Sequence, residues 1–119
     1  MNRDMDAIKK ILMAVKESDK PVSNVEGMPS EVFRFNALLL DEAGLVEGAF
    51  KPSSRKADPT PIMATIYRLT WNGFEFADLA SDETLWEKVK KHIVKPAAAY
   101  SFMAILEYLK QEAIKKIGK

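Results

Sequence analysis

Apolar positions along the chain recur with a few distinct periods, and those periods predict its elements. Over 3–17, Met5, Ile8, Leu12 and Val15 recur at spacings of three, four and three, with Ile11 beside them. That is one apolar stripe on a helix. Asn2 is placed to cap it, and Asp4 and Asp6 stand in its first turn, where negative charge meets the positive end of the helix dipole. Ser18, Asp19, Lys20 and Pro21 end it. The stretch 21–29 holds two prolines and a glycine, with a short strand expected over 22–25.

Ser30 is the expected cap of a second helix that ends at Gly44, a left-handed C-terminal glycine. The period then changes. Residues 45–50 and 62–69 read as strands, the second rich in β-branched and aromatic residues. Between them, KPSSRKADPTP at 51–61 is polar and carries three prolines. Antiparallel pairing of the two strands makes that loop a wing. Thr70 caps a short helix with Trp71, Phe74 and Ala77 expected on its inner face. Ser81 or Asp82 caps the next, with Leu85, Trp86, Val89 and Ile93 facing inward, and Lys95-Pro96 breaks it. A last helix is expected over 97–117, ending at Gly118, with Phe102, Leu106, Leu109 and Ala113 as its main stripe.

This order predicts an α+β fold: a winged-helix-like domain with a small β-hairpin wing and two added C-terminal helices. The expected division is 1–95 for the domain and 96–119 for a C-terminal helix that packs on the domain or on a dimer mate. A chain of 119 residues suffices for one compact domain.

Winged helices usually bind DNA with the helix before the hairpin. Advancing 100° per residue, Val32, Phe33, Phe35, Ala37, Leu39, Leu40 and Ala43 fill a broad apolar arc, with Asn36 inside it. The other face holds Glu31, Arg34, Leu38, Asp41 and Glu42, one positive charge against three negative. Affinity for DNA comes largely from neutralising phosphates, so this face opposes it. Arg34 alone is well placed to read a base. The wing suits an anion better, because Lys51, Arg55 and Lys56, followed by Arg68, outnumber Asp58. From 88 to 119, eight lysines stand against Glu107 and Glu112, so most positive charge sits late in the chain.

Two partner classes follow. Double-stranded DNA is the first, held through Arg34, Lys51, Arg55, Lys56 and Arg68 by a small transcriptional regulator. The second is a host or phage protein, contacted through Leu38, an apolar residue flanked by charges. Phe102, Ile105 and Leu109, with Leu106, either pack back on the chain or join two copies in a homodimer.

Catalysis is not expected. His92 is the one histidine and cysteine is absent, so the usual zinc sets cannot form. The five glycines stand at turns and caps, outside any phosphate-cradling loop. Asp41 and Glu42 diverge by 100° on their helix and make no facing acid pair. No cofactor is expected. The N-terminus, MNRDMDAIKK, lacks the features of a signal peptide, and no apolar run is long enough for a membrane span. A cytoplasmic location is expected.

The runs FNALLLDEAGLVEG, YRLTWNGFEFADLA and DETLWEKVKKHI resemble a small family of bacterial and phage-associated proteins of unknown function, similar to YjcQ-like proteins. Such proteins share an N-terminal helix matched by Met1-Asn2-Arg3-Asp4-Met5, a Leu-Thr-x-x-Gly turn matched by Leu69 to Gly73, and a Trp-bearing helix matched by Trp86. The resemblance covers roughly 2–95 and implies a winged-helix-like fold, a prophage or mobile-element origin and no known chemistry. Related sequences carry a histidine where Asn36 stands and a basic residue where Leu38 stands. Both departures weaken nucleic-acid binding by the second helix. The segment 18–29 is also too short and proline-rich for the extra helix of a full helix-turn-helix.

Overall fold

Seven elements follow one another in the computed structural model, which describes residues 3–55, 57–93 and 101–117. They are α1 (Met5–Glu17), α2 (Ser30–Glu42), β1 (Val46–Lys51), β2 (Met63–Leu69), α3 (Trp71–Ala80), α4 (Glu83–Ile93) and α5 (Phe102–Ile117). The fold is α+β, a small winged-helix-like arrangement with further helices at the C-terminal end. Two compact units divide the chain, Met1–Phe74 and Glu75–Lys119. The division falls inside α3. Among the described residues no helix is long and apolar enough to cross a membrane.

In the first unit, α1 buries Ile8, Ile11, Leu12 and Val15, the stripe its periodicity predicts. Asp4, not Asn2, is its cap, and its side chain accepts from the Ala7 N–H at 3.1 Å. The helix α2 buries Phe33, Phe35, Asn36, Ala37 and Leu40. Ser30 is its first helical residue; the cap position belongs to Pro29, which supplies no side-chain acceptor. At the other end Leu45 N–H donates to the Leu40 carbonyl and Gly44 N–H to that of Asp41, with Gly44 at φ 77°. This is a Schellman closure, and glycine adopts its left-handed angle without a Cβ penalty.

The strands β1 and β2 pair antiparallel, from Val46 opposite Leu69 to Lys51 opposite Met63, with an irregularity between Glu47 and Gly48. Ala64, Ile66 and Leu69 are buried on the inner face. The strand expected over 22–25 is a single bridge, in which Val22 and Ile66 exchange both N–H···O bonds at 2.8 Å. Between that bridge and α2 there is only a turn, Met28 N–H donating to Val25. Nothing there takes the place of the first helix of a helix-turn-helix.

Thr70 caps α3 as expected, accepting from Gly73 N–H at 3.1 Å while its hydroxyl donates to the Gly44 carbonyl at 2.6 Å. The rotation of α3 differs from expectation. Its buried positions are Gly73, Phe76, Ala77 and Ala80, whereas Trp71 and Phe74 are exposed. Gly73 decides this: a Cβ at that position would lie 1.9 Å from the Leu45 carbonyl oxygen, so glycine must face inward there. The face at spacings three, four and seven from residue 73 then follows.

In the second unit, Asp82 caps α4 by accepting from Leu85 N–H at 3.1 Å. Leu85, Trp86 and Val89 are buried. Ser101 accepts from Ala104 N–H at the start of α5. The Phe76 ring meets Trp86 and Phe102 edge-on, at 6.3 and 6.1 Å between centroids. Such edge-to-face pairs suit the quadrupoles of the rings. The expected inward Ile93 side chain, the Lys95-Pro96 break, the helical start at 97 and Gly118 lie outside the described residues.

Candidate functional site

Of the cations expected to meet an anion, each described one has a definite place. Arg34 projects from α2 toward the end of the wing loop. Its Nη1 donates to the Pro61 carbonyl at 2.6 Å and its Nε to Ser30 Oγ at 3.3 Å. The guanidinium therefore braces the loop against the helix. Arg68 lies on the outer face of β2 and donates through Nε to Glu47 at 2.5 Å and through Nη1 to the Leu69 carbonyl. Its charge already has a counter-ion. Lys51 and Arg55 are exposed, one at the end of β1 and one in the loop. Lys56 lies outside the described residues.

The loop and α2 enclose a shallow cleft of about 240 Å³, lined by Glu31, Arg34, Ser53, Arg55, Asp58 and Ile62 among others. Two guanidinium groups and two carboxylates share it. The Asp58 carboxyl is held below its ordinary value, first by the Thr60 backbone N–H, which donates to it at 2.9 Å, with Arg55 a smaller cause. The cleft thus balances its own charge instead of presenting an excess of cations.

The outer face of α2 keeps its acidic character. The Asp41 carboxyl is pushed up, first by burial and then by the charge of Glu47. Leu38, expected as a free-standing anchor, is only partly exposed. Asn36 is fully buried and occupied, as its position in the apolar arc predicts. Its Nδ2 donates to the Val32 carbonyl at 2.9 Å and its Oδ1 accepts from Asp4 N–H.

The late lysines are also engaged. Lys110 pairs with Glu75 at 3.3 Å, Lys116 with Asp82 at 2.7 Å, and Lys88 and Lys115 with Glu112 at 3.6 and 3.3 Å. Glu75 and Asp82, early in the second unit, meet Lys110 and Lys116 late in it, which offsets part of the charge asymmetry of the linear chain. Phe102, Ile105 and Leu109 are buried together with Leu106 within one copy. That stripe packs back, the first of its two expected fates, and is not left for a dimer mate.

The periodicity does not announce a group of exposed apolar residues on the hairpin and the start of α3. On β2, Met63 and Tyr67 alternate to the outer face and are 60% and 56% exposed. Trp71 is 80% exposed, and Ile62 and Phe74 are about half exposed. Thr65, between Met63 and Tyr67, is tied by its hydroxyl to Ser23 at 2.9 Å. The signal available in sequence was the strand itself, which turns Met63, Thr65 and Tyr67 away from the face that buries Ala64 and Ile66.

The chain belongs to a family described as hypothetical proteins (DUF2513), whose profile matches residues 2–99. It is also similar to an uncharacterized protein of Haemophilus influenzae (strain ATCC 51907 / DSM 11121 / KW20 / Rd). The two are 29% identical over 111 residues, covering 88% of this chain and 89% of that protein. No solved structure matches the chain. An uncharacterised family is what the resemblance of its motifs implies.

Proposed function

We propose that this protein is a non-enzymatic protein-interaction module that uses the winged-helix-like frame as a rigid support and the outer face of the hairpin as its contact surface. The observation that carries the reading is the exposure of Met63, Tyr67 and Trp71, flanked by Ile62 and Phe74. Large exposed aromatic side chains are the residue types that dominate binding energy at protein interfaces. The helix that would read DNA carries net negative charge on its polar face, and its one arginine is committed to the wing loop. The partner class is a host or phage protein with a complementary apolar patch. A prophage or mobile-element origin, implied by the resemblance to YjcQ-like proteins, fits a small module acting on another protein.

The test is affinity purification from lysate of the source organism with quantitative mass spectrometry, using wild type, Met63→Glu, Trp71→Glu and the pair Lys51→Glu/Arg55→Glu. Circular dichroism checks that each variant is folded. A protein lost from the first two variants and retained by the third supports the reading. If every co-purifying protein survives both apolar substitutions, the hairpin surface is not the contact.

A second reading, double-stranded DNA bound by a small regulator, is favoured by the exposure of Lys51 and Arg55. Phosphate-driven binding drops by orders of magnitude between about 50 and 200 mM salt. Fluorescence anisotropy with random duplex DNA in that range decides it. Steep salt dependence, abolished by Lys51→Glu/Arg55→Glu, supports DNA; no binding at low salt removes it.

A further inference from the structure

The inner stripe of α5 is closed within one copy, yet the helix carries a second stripe. Met103, Glu107, Lys110, Ile114 and Ile117 follow at spacings of four, three, four and three, the alternation of a heptad core. On an ideal helix they fall within an arc of about 80°. Its apolar members face solvent: Met103 is 47%, Ile114 62% and Ile117 83% exposed.

We infer that this stripe pairs antiparallel with α5 of a second copy, with Met103 opposite Ile114 and Glu107 opposite Lys110. From Met103 to Ile114 the order of chemistry along the stripe is apolar, acidic, basic, apolar. Read in reverse against itself, it matches apolar to apolar and acid to base, twice over, as a twofold axis requires. A parallel pairing sets Glu107 beside Glu107 and Lys110 beside Lys110, which repel. Self-complementarity of charge therefore selects both the occupant, a second copy of this chain, and its direction.

The surface beside the stripe has the matching relief. A cleft of about 380 Å³ lies between α3 and α5, lined by Glu75, Asp78, Leu79, Lys110, Ala113 and Ile114. Met103 of the second copy lies opposite Ile114, at the edge of this cleft, and its flexible thioether suits an irregular apolar gap. Lys110 is held at the rim by Glu75, and Glu107 accepts from Gln111 Nε2 at 3.2 Å, so both charged groups are already oriented. The contact is short, so dimerisation is concentration-dependent. It uses residues distinct from the hairpin surface and does not rest on that reading.

The chain contains no cysteine, which makes a disulfide test clean. Full-length Met103→Cys and Ile114→Cys variants are oxidised separately and as a mixture. A disulfide between the two variants is expected in the mixture, with none in either alone, because like positions lie roughly 16 Å apart along the helix in this register. Self-linking of Met103→Cys marks a parallel pairing and overturns the inference, as does absence of the mixed disulfide. Light scattering over a concentration series supplies a second measure. Glu107→Lys places like charges opposite each other and is expected to weaken dimerisation on the order of tenfold. An unchanged dissociation constant, or a monomeric wild type throughout, overturns the pairing.

Discussion

The side-chain carbonyl of Asn36 accepts a hydrogen bond at 3.0 Å from the backbone N–H of Asp4, thirty-two residues earlier. Asp4 is itself the cap of α1, so a buried polar residue in the middle of α2 ties down the first turn of another helix. The amide is occupied at both ends, because Nδ2 donates to the Val32 carbonyl. This role is structural, and it keeps Asn36 away from any nucleic acid.

Removing Asn36 tests that assignment. Asn36→Ala deletes both bonds and leaves the Asp4 N–H without its acceptor. A stability loss of about 2–3 kcal/mol is expected, read by urea denaturation. Binding of any partner by the folded fraction is expected to be unchanged. A loss below about 0.5 kcal/mol contradicts the pairing, since that is the range of neutral surface changes.

The Leu-Thr-x-x-Gly turn yields a second prediction. Gly73 lets the backbone of α3 approach the Leu45 carbonyl, where an added Cβ would sit 1.9 Å from the oxygen. Backbone cannot yield as a side-chain tip does, so Gly73→Ala is expected to cost about 3 kcal/mol or more, or to prevent folding. Thr70→Val keeps the shape but loses the cap on Gly73 N–H and the bond to Gly44, and is expected to cost about 1–2 kcal/mol. Thermal unfolding of the two variants orders them; a Gly73→Ala protein as stable as wild type refutes the close approach.

Asp41 provides a third, with a pH signature. Burial first, and then Glu47, raise its carboxyl above the ordinary value of 3.8. A raised folded value means that ionising the group costs stability. The cost is fully present above the folded value and is relieved as pH falls through it toward 3.8. Asp41 also stands near the negative C-terminal end of α2. Asp41→Asn is therefore expected to stabilise the protein at neutral pH by about 0.5 kcal/mol. The gain is expected to fade in acid. Denaturation at pH 7 and pH 3.5 checks this, and a gain equal at both excludes the electrostatic cause.

Much of the fold was legible because its signals are local. The apolar stripe of α1, the glycine that closes α2, the β-branched and aromatic content of β2 and the cap at Thr70 each lie within a few residues of the structure they specify. Asn36 could be placed inside because its angle on the helix put it within the apolar arc. The rotation of α3 was ambiguous in the same terms. Trp71, Phe74 and Ala77 fit a helical face as well as Gly73, Phe76, Ala77 and Ala80 do. Apolar spacing cannot choose between them, since the choice depends on Leu45, a residue on another element.

The cations show the same limit. Arg34, Arg68 and the late lysines are charges in the sequence whatever they meet; only folding places Pro61, Glu47, Glu75, Asp82 and Glu112 beside them. Backbone propensity and capping act over one or two turns, so the kinds and order of the elements are written locally in the chain. Which faces remain outside and which charges find a counter-ion is settled by packing. Those properties depend on contacts between residues far apart in the chain, and they leave Met63, Tyr67 and Trp71 at the surface.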